Sequence, residues 1–342
     1  MILSNPFKPI RSRPVPLKTL GFAFLLLAAW PQISPGQDVL LFDSIVTSPT
    51  GDAANGTYKG GTTVGLNDTN NLAVAGGSIV GFKAAEPWNV NSSFIRSLST
   101  GVSSASLLST AGGSVGMAGA NDATLRYAIR GYSTGYTPVP TNYFTVSFNA
   151  NYLDTKTNAI SLAAFTDSTS TTSRTAYIAS NTNTNFYRGL AVGLKGNGSG
   201  GMDAILRFRS NSMTYVDEVL LAGISTNTTY TFVVEIAWNV STSSGATTGT
   251  LDRERVKVWL NPTSDLATTT PVFNALGEQG DNAAANVLDT LHLMQQNYGR
   301  NSSDIVSIDE LRAGTTSSAL SLNLTPPPPP PATVSFISAI LS

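Results

Sequence analysis

Histidine occurs once in the 342 residues, at His292, and cysteine does not occur. A nucleophilic Ser-His-Asp arrangement would have to use that imidazole. It lies in the apolar run Leu291-His-Leu-Met294, which predicts a half-buried strand histidine with a hydrogen-bonded tip. One imidazole and no thiolate cannot build a zinc site, and the lack of cysteine removes thiolate catalysis and disulfide scaffolds. Calcium is the one metal the composition leaves open, because loops rich in Asp and Asn supply the oxygen ligands it takes. Gly65–Asn71 and residues 280–282 are such loops. Neither has the spaced Asp-x-Asp-x-Asp-Gly pattern, and turn formation is the commoner use of these residues. No cofactor and no metal ligand is assigned.

Paired carboxylates are the other chemistry to test. Retaining glycoside hydrolysis needs two carboxyl groups about 5 Å apart. Glu235 stands alone in its segment, while Asp217-Glu218 and Asp309-Glu310 are adjacent pairs. Neighbours in an extended strand point to opposite faces, so neither pair is expected to share a bond to be cleaved. Asp309, Glu310 and Arg312 read instead as paired, hydrogen-bonded strand residues. No catalytic residue is assigned, and the chain is expected not to be an enzyme. The positive hint of ligand contact is aromatic. Tyr132 and Tyr136 fall in Gly131-Tyr-Ser-Thr-Gly-Tyr-Thr-Pro138, a stretch without strand alternation, and Tyr143 follows closely. Flat amphipathic rings of this kind stack on sugars, and they equally cover sheet edges. Trp88, Trp238 and Trp259 read as packing residues.

The elements that must hold these groups are short and alternate with a period of two. In Thr229–Trp238, Tyr230, Phe232, Val234, Ile236 and Trp238 share one face, and Thr231, Val233, Glu235 and Ala237 share the other. That is a half-buried strand. The same reading applies to 143–149 and 205–209, and to runs near 39–46, 72–82, 123–130, 159–166, 174–180, 186–195, 214–222, 254–261, 288–298 and 304–312. Asn55-Gly56, Gly60-Gly61, Asn197-Gly198 and Gly200-Gly201 supply tight reversals. Many short strands joined by such turns predict an all-β fold, an antiparallel two-sheet sandwich. Residues 168–173, 241–250 and 268–270 read as solvated loops, and no helix opening on a phosphate loop follows any glycine pair.

Charged residues make up 12% of the chain, with 20 Lys+Arg against 21 Asp+Glu, well below the roughly one quarter of ordinary domains. Ser, Thr and Asn must make the surface polar. Lys8, Arg11, Arg13 and Lys18 precede the eleven apolar residues Leu20–Trp30, and Ser34-Pro35-Gly36 places small residues at a cleavage site. This is the pattern of a secretory signal peptide over 1–36, with a mature start near Gln37 and a secreted or cell-surface location. Eleven residues fall short of the roughly twenty that span a bilayer. Without residues 1–36, four of the 20 basic and none of the 21 acidic residues are lost, which leaves 16 against 21. Such a Lys-poor, mildly acidic chain is a poor nucleic-acid binder. Pro326–Pro331 form a stiff spacer over 325–331. The sandwich is therefore expected to occupy 37–324, with 332–342 as a short apolar tail, from a chain cut short or a frayed end.

Two segments carry a resemblance. Tyr230-Thr-Phe-Val-Val-Glu-Ile-Ala-Trp238 leads through a Ser/Gly/Thr stretch to Arg255-Val-Lys-Val-Trp-Leu-Asn-Pro262, and Val306-Ser-Ile-Asp-Glu-Leu-Arg-Ala-Gly-Thr315 follows. They resemble the closing half of concanavalin A-like, laminin-G-like jelly-roll domains of exported bacterial proteins of the PEP-CTERM type, and Leu40-Leu-Phe-Asp-Ser44 resembles their first strand. The resemblance implies a concanavalin A-like jelly roll over about 38–324, with its first strand, around Leu41–Ile45, near its last, around Ile305–Leu311. The expected role is a secreted, non-catalytic module that binds glycans or serves in cell-surface adhesion, with polysaccharide or envelope glycan as partner; the alternatives are a purely structural envelope protein and a polysaccharide-active enzyme with unrecognised catalytic residues. Concanavalin A-like sandwiches include retaining glucanases with Glu-x-Asp-x-(x)-Glu along one strand, and this chain has no such run. It also departs from the sorted members in lacking a Pro-Glu-Pro tag, spanning helix and Arg cluster after the proline spacer.

Overall fold

Alternation of apolar and small polar residues builds nearly every strand. A computed structural model describes residues 39–43, 45, 47–51, 57–61, 63–68, 71, 88–107, 112–120, 122, 124–131, 141–155, 159–166, 189–209, 215–245, 249–263, 265–277, 290–296, 298–320 and 322. These lie within one compact unit, Ser34–Ser342. Along the chain come β1 (Val39–Asp43), β2 (Thr47–Ser48), β3 (Tyr58–Lys59), β4 (Asn89–Val90), β5 (Ile95–Leu98), β6 (Ser114–Ala118), β7 (Leu125–Gly131), β8 (Thr141–Ala150) and β9 (Ala159–Thr166). Then follow β10 (Gly189–Gly196), β11 (Met202–Arg209), β12 (Tyr215–Leu221), β13 (Thr229–Gly245), β14 (Gly249–Leu260), β15 (Phe273–Gly277), β16 (Thr290–Gln296), β17 (Ile305–Gly314) and a 3₁₀ turn, Ser317–Leu320.

The larger sheet runs β15-β14-β13-β8-β17-β6-β5, with β1 also on β17, and the smaller runs β12-β11-β10-β9-β16-β7-β4. All pairs within the two sheets are antiparallel. Between the sheets lies one core, to which β8 gives Phe144, Val146 and Phe148, β13 gives Phe232, Val234 and Ile236, and β10 gives Leu190, Val192 and Leu194. Phe208 of the smaller sheet meets Phe273 of the larger edge-on at 5.0 Å. This is the jelly-roll sandwich that the alternation predicts. The first strand pairs with the last, Leu41 opposite Ala313 and Asp43 opposite Leu311, as expected.

Three parts of the sequence reading need correction. Ser241–Gly245 and Gly249–Thr250, read above as part of a solvated loop, instead continue β13 and β14 as a ladder that closes at Gly245 opposite Gly249. Thr and Ser support an extended backbone even where they carry no apolar pattern. Strands β5, β6 and β15, four or five residues long, are too short for their alternation to stand out. β6 is buried at all five positions: Val115 and Met117 enter the core, and small residues fill the other side, where a Cβ on Gly116 would stand 2.7 Å from Leu98 Cδ1. The third correction concerns β17. Val306 and Ile308 face the core, and so do Leu311 and Ala313. That change of parity needs one extra residue, and the register indeed shifts between Asp309 and Arg312, with Glu310 left-handed at φ 57°. The bulge lies where β17 exchanges β6 for β1 as its neighbour. Asp309 and Glu310 therefore do not diverge across the sheet: both lie off the core face. Asp217 and Glu218 do alternate, opposite Arg207 and Leu206 respectively.

The proposed signal peptide, the runs at 72–82 and 174–180, residues 280–282, Tyr132, Tyr136 and the chain from 323 onward lie outside the described residues.

Candidate functional site

Because even-numbered residues of β8 and β13 fill the core, odd-numbered ones occupy the outer face of the larger sheet. Over one half of that face Thr145, Ser147, Thr231, Val233 and Trp259 are buried. Segment 101–107 lies over part of it. Val102 N donates to Asp309 Oδ2 at 3.0 Å, and the Ser104 and Thr231 hydroxyls are 2.5 Å apart. Over another part, Leu266 and Leu320 close on Val233 and Trp259 in a second, smaller apolar cluster. The Trp-Leu-Asn-Pro turn fixes this cover. Trp259 Nε1 donates to Thr269 O at 2.8 Å, and Asn261, left-handed at φ 46°, accepts from Thr231 N at 2.7 Å.

The other half of the face stays partly open, and Tyr143 stands on it. Tyr143, Glu235 and Lys257 are direct cross-strand partners over β8, β13 and β14. Lys257 Nζ is 2.7 Å from Glu235 Oε1, and lies 5.8 Å from the centroid of the Trp259 ring. The Tyr143 ring packs against the small cluster. Burial, the Glu235 charge and a hydrogen bond to Glu235 push its hydroxyl up to about 12, so it remains a neutral donor at any physiological pH. Of the three tyrosines singled out from sequence, this is the one among the described residues.

Beneath the 3₁₀ turn, Arg312 forms a wholly buried ion pair with Glu310. Its Nε donates to Glu310 Oε2 at 2.9 Å, its second terminal nitrogen bonds the same oxygen, and its first donates to Leu320 O at 2.7 Å. Asp309 accepts from Val102 N and Glu310 N. These groups join the bulge to the segments that cover the sheet, as paired strand residues should.

A second concave surface lies on the outer face of the smaller sheet, where sequence reading pointed to nothing. A depression of about 290 Å³ is lined by Lys195, Asn197, Asp203, Ile205, Asp217 and Val219 among others. Asp217 accepts from Arg207 Nε at 2.6 Å and from Lys195 Nζ at 2.9 Å. Burial raises the Asp217 carboxyl, but the hydrogen bonds and charges of Arg207 and Lys195 outweigh it and hold the group below the usual carboxylate range. The only sequence sign of this place was the Asn-Gly and Gly-Gly turn that joins β10 to β11.

The remaining candidates are structural. His292 is not half-buried but fully buried, in a strand flanked on both sides by β7 and β9. Asn71 is also fully buried. It accepts from Lys59 N and donates to Lys59 O, Gly65 O and Ser97 Oγ, and Asp68 pairs with Lys59 at 3.3 Å. In that part of the calcium candidate Asn71 and Asp68 tie the turn to β3 and β5. Trp88, Trp238 and Trp259 are all buried, as packing residues should be. Among the described residues no group of three or more His, Cys, Asp or Glu side chains comes together, and no helix is long and apolar enough to cross a membrane.

No family model and no curated protein matches the chain. Solved structures similar to it include an alginate lyase in complex with an alginate trisaccharide, at 11% identity and TM-score 0.38 over 69% of this chain and 97% of that one. A carbohydrate esterase from the Shiga toxin-encoding bacteriophage phi24B is 12% identical, with TM-score 0.39 over 68% and 91%. Domain 4 of an extracellular arabinanase from Geobacillus stearothermophilus, with arabinotriose, is 12% identical, with TM-score 0.33 over 70% and 88%. At TM-scores this low the likenesses carry no argument, and the architecture rests on the strands and pairings themselves.

Proposed function

We propose that this protein is an exported, non-catalytic glycan-binding module of the cell surface or its surroundings, akin to the laminin-G-like jelly rolls of exported bacterial proteins. The observation that carries the reading is the Tyr143–Glu235–Lys257 row. It offers a half-buried aromatic ring in a fixed pose beside a carboxylate and an ammonium that neutralise each other. A sugar needs a flat apolar face to stack on and oriented hydrogen-bonding groups at the rim, and no net charge.

The non-catalytic part rests on how the carboxylates are held. Glu235 pairs with Lys257, Asp217 with Arg207 and Lys195, Glu310 with Arg312, Asp304 with Arg300 and Asp122 with Arg126. Beside these cations the carboxyls of Asp217, Asp304 and Asp122 lie below the usual carboxylate range, and a carboxyl so held does not serve as the general acid that glycoside cleavage requires. Export rests on the basic, apolar and small-residue pattern of residues 1–36. A purely structural envelope role is the second reading, favoured by the cover that segment 101–107 and the 3₁₀ turn place over half of the larger sheet.

The test is retention on insoluble β-glucans, xylans and alginates at low and high salt, with reducing ends measured in the same incubations. Wild type should be retained at both salt concentrations and release nothing, and Tyr143→Ala should weaken retention. Release that disappears on changing one Asp or Glu would make the protein an enzyme. No retention on any polymer would leave the structural reading. Mass spectrometry of exported protein should find a mature start near Gln37, and retention of Met1–Trp30 would refute cleavage.

A further inference from the structure

We infer that the depression between the β10–β11 hairpin and β12 is a second binding site, on the opposite face of the sandwich from Tyr143, and that it takes one neutral sugar ring through a pair of adjacent hydroxyls. The inference rests on the glycan-binding reading above and assigns it a second locus and a ligand class.

The argument starts at Asp203. Its Oδ1 accepts from Asn197 Nδ2 at 3.1 Å and from Gly223 N at 2.8 Å, so the carboxylate is fixed in orientation, while its Oδ2 makes no hydrogen bond among the described residues. Asn197 is fixed in turn, since its Oδ1 accepts from Ser199 N at 3.0 Å and Gly201 N at 3.2 Å. Directly across the ladder from Asp203 stands Lys195, whose ammonium is tethered to Asp217 and about one third exposed. An oriented acceptor and an oriented donor thus face each other from neighbouring strands. Two adjacent hydroxyls of a pyranose match that arrangement, one donating to the carboxylate and the other accepting from the ammonium.

The floor between them is apolar, formed by Ile205 and by Val219, which is 55% exposed. An aliphatic residue left open beside fixed polar groups suits the C–H face of a sugar ring. Charge decides against an acidic ligand: Lys195 and Arg207 are already balanced by Asp217 and Asp203, and the unpaired Asp203 oxygen would repel a carboxylate. Size sets the length. About 290 Å³ is at the lower end of the roughly 300–1,000 Å³ of small-molecule sites, so one ring is held and the rest of a chain runs out over the hairpin. The tip does not obstruct it, because nothing lies within 4 Å of where a Cβ would stand on Gly198 or Gly200.

The test is a titration of the ¹⁵N-labelled full chain with methyl glycosides of glucose, mannose and galactose, and separately with methyl glucuronide, into the millimolar range. At least one neutral glycoside should shift the amides of 195–203 and 217–223. Asp203→Asn, which keeps the hydrogen bond from Gly223 N, should weaken that response about tenfold, the loss of one charge-assisted hydrogen bond. Val219→Asp, at an exposed edge-strand position, should abolish it without altering the fold, and Tyr143→Ala should leave it intact. Shifts confined to the surroundings of Tyr143 would overturn this inference and leave the proposed function standing. A response to the glucuronide alone, or one unchanged in both variants, would also overturn it. If no polymer is retained and no glycoside shifts any amide, both readings fall together.

Discussion

Replacing Arg312 by Met tests the part of the fold that joins the bulge to the cover of the larger sheet. Arg312 and Glu310 have side chains 1% and 0% exposed, so removal of the guanidinium leaves a carboxylate in the interior without its cation. It also strips Leu320 O of its donor. Breaking a buried pair from one side costs about 3–5 kcal/mol. For a domain of this size 1 kcal/mol is worth about 2–4 °C, so the melting midpoint should fall by about 6–20 °C. Urea unfolding followed by the fluorescence of Trp88, Trp238 and Trp259, all buried, gives the free energy directly. Glu310→Met combined with Arg312→Met removes both charges, and should recover most of the loss, because well-packed apolar side chains replace such a pair at little net cost. A shift below about 1 kcal/mol for Arg312→Met, or a double variant that sums the two single losses, would refute the reasoning.

Deleting residues 304–315 should abolish the cooperative melting transition of the whole sandwich, since β17 lies between β8 on one side and β6 and β1 on the other; a truncated chain that still melts in one transition would show that the sheet closes without it. The Asp217 carboxyl lies below its ordinary value of 3.8, so its contribution is complete above that value and is lost as pH falls through the lowered one. Asp217→Asn should accordingly flatten the acid limb of a stability-against-pH curve and leave neutral pH as the point of greatest difference. Tyr143, raised to about 12 from 10.0, stabilises the fold fully below pH 10 and progressively less as pH rises to about 12. Ultraviolet titration should show Tyr143 ionising late, ahead of the more deeply buried Tyr298, whose hydroxyl is pushed higher still, and Glu235→Gln should move the Tyr143 step part of the way back, burial accounting for the rest.

Alternation alone determined the sandwich. Along β8 and β13 every second residue is apolar, and in an extended chain that is sufficient to say which side meets the other sheet. The closing motif near Asp309–Arg312 and the opening Leu-Leu-Phe-Asp likewise placed the first strand beside the last. What sequence did not show is where alternation itself fails. β6, five residues long and buried on both faces, is too short for its alternation to be read, and the extra residue at Glu310 reverses the parity of β17 from one end to the other. That reversal turned two adjacent carboxylates that ought to diverge into neighbours on one face, and only the pairing of Asp309 and Arg312 with β8 decides it. The candidate sites divide in the same way. Tyr143 was legible because an aromatic residue near a turn is conspicuous in one dimension, but its partners Glu235 and Lys257 lie about 90 and 110 residues further on and meet it only through the register of three strands. The depression beside Asp203 had no sequence signature beyond the turn that joins β10 to β11, since it is made of one lysine, two aspartates and two aliphatic residues from three strands with an asparagine of that turn. Concavity is a property of how strands and their hairpin stand together, and no spacing within the chain encodes it.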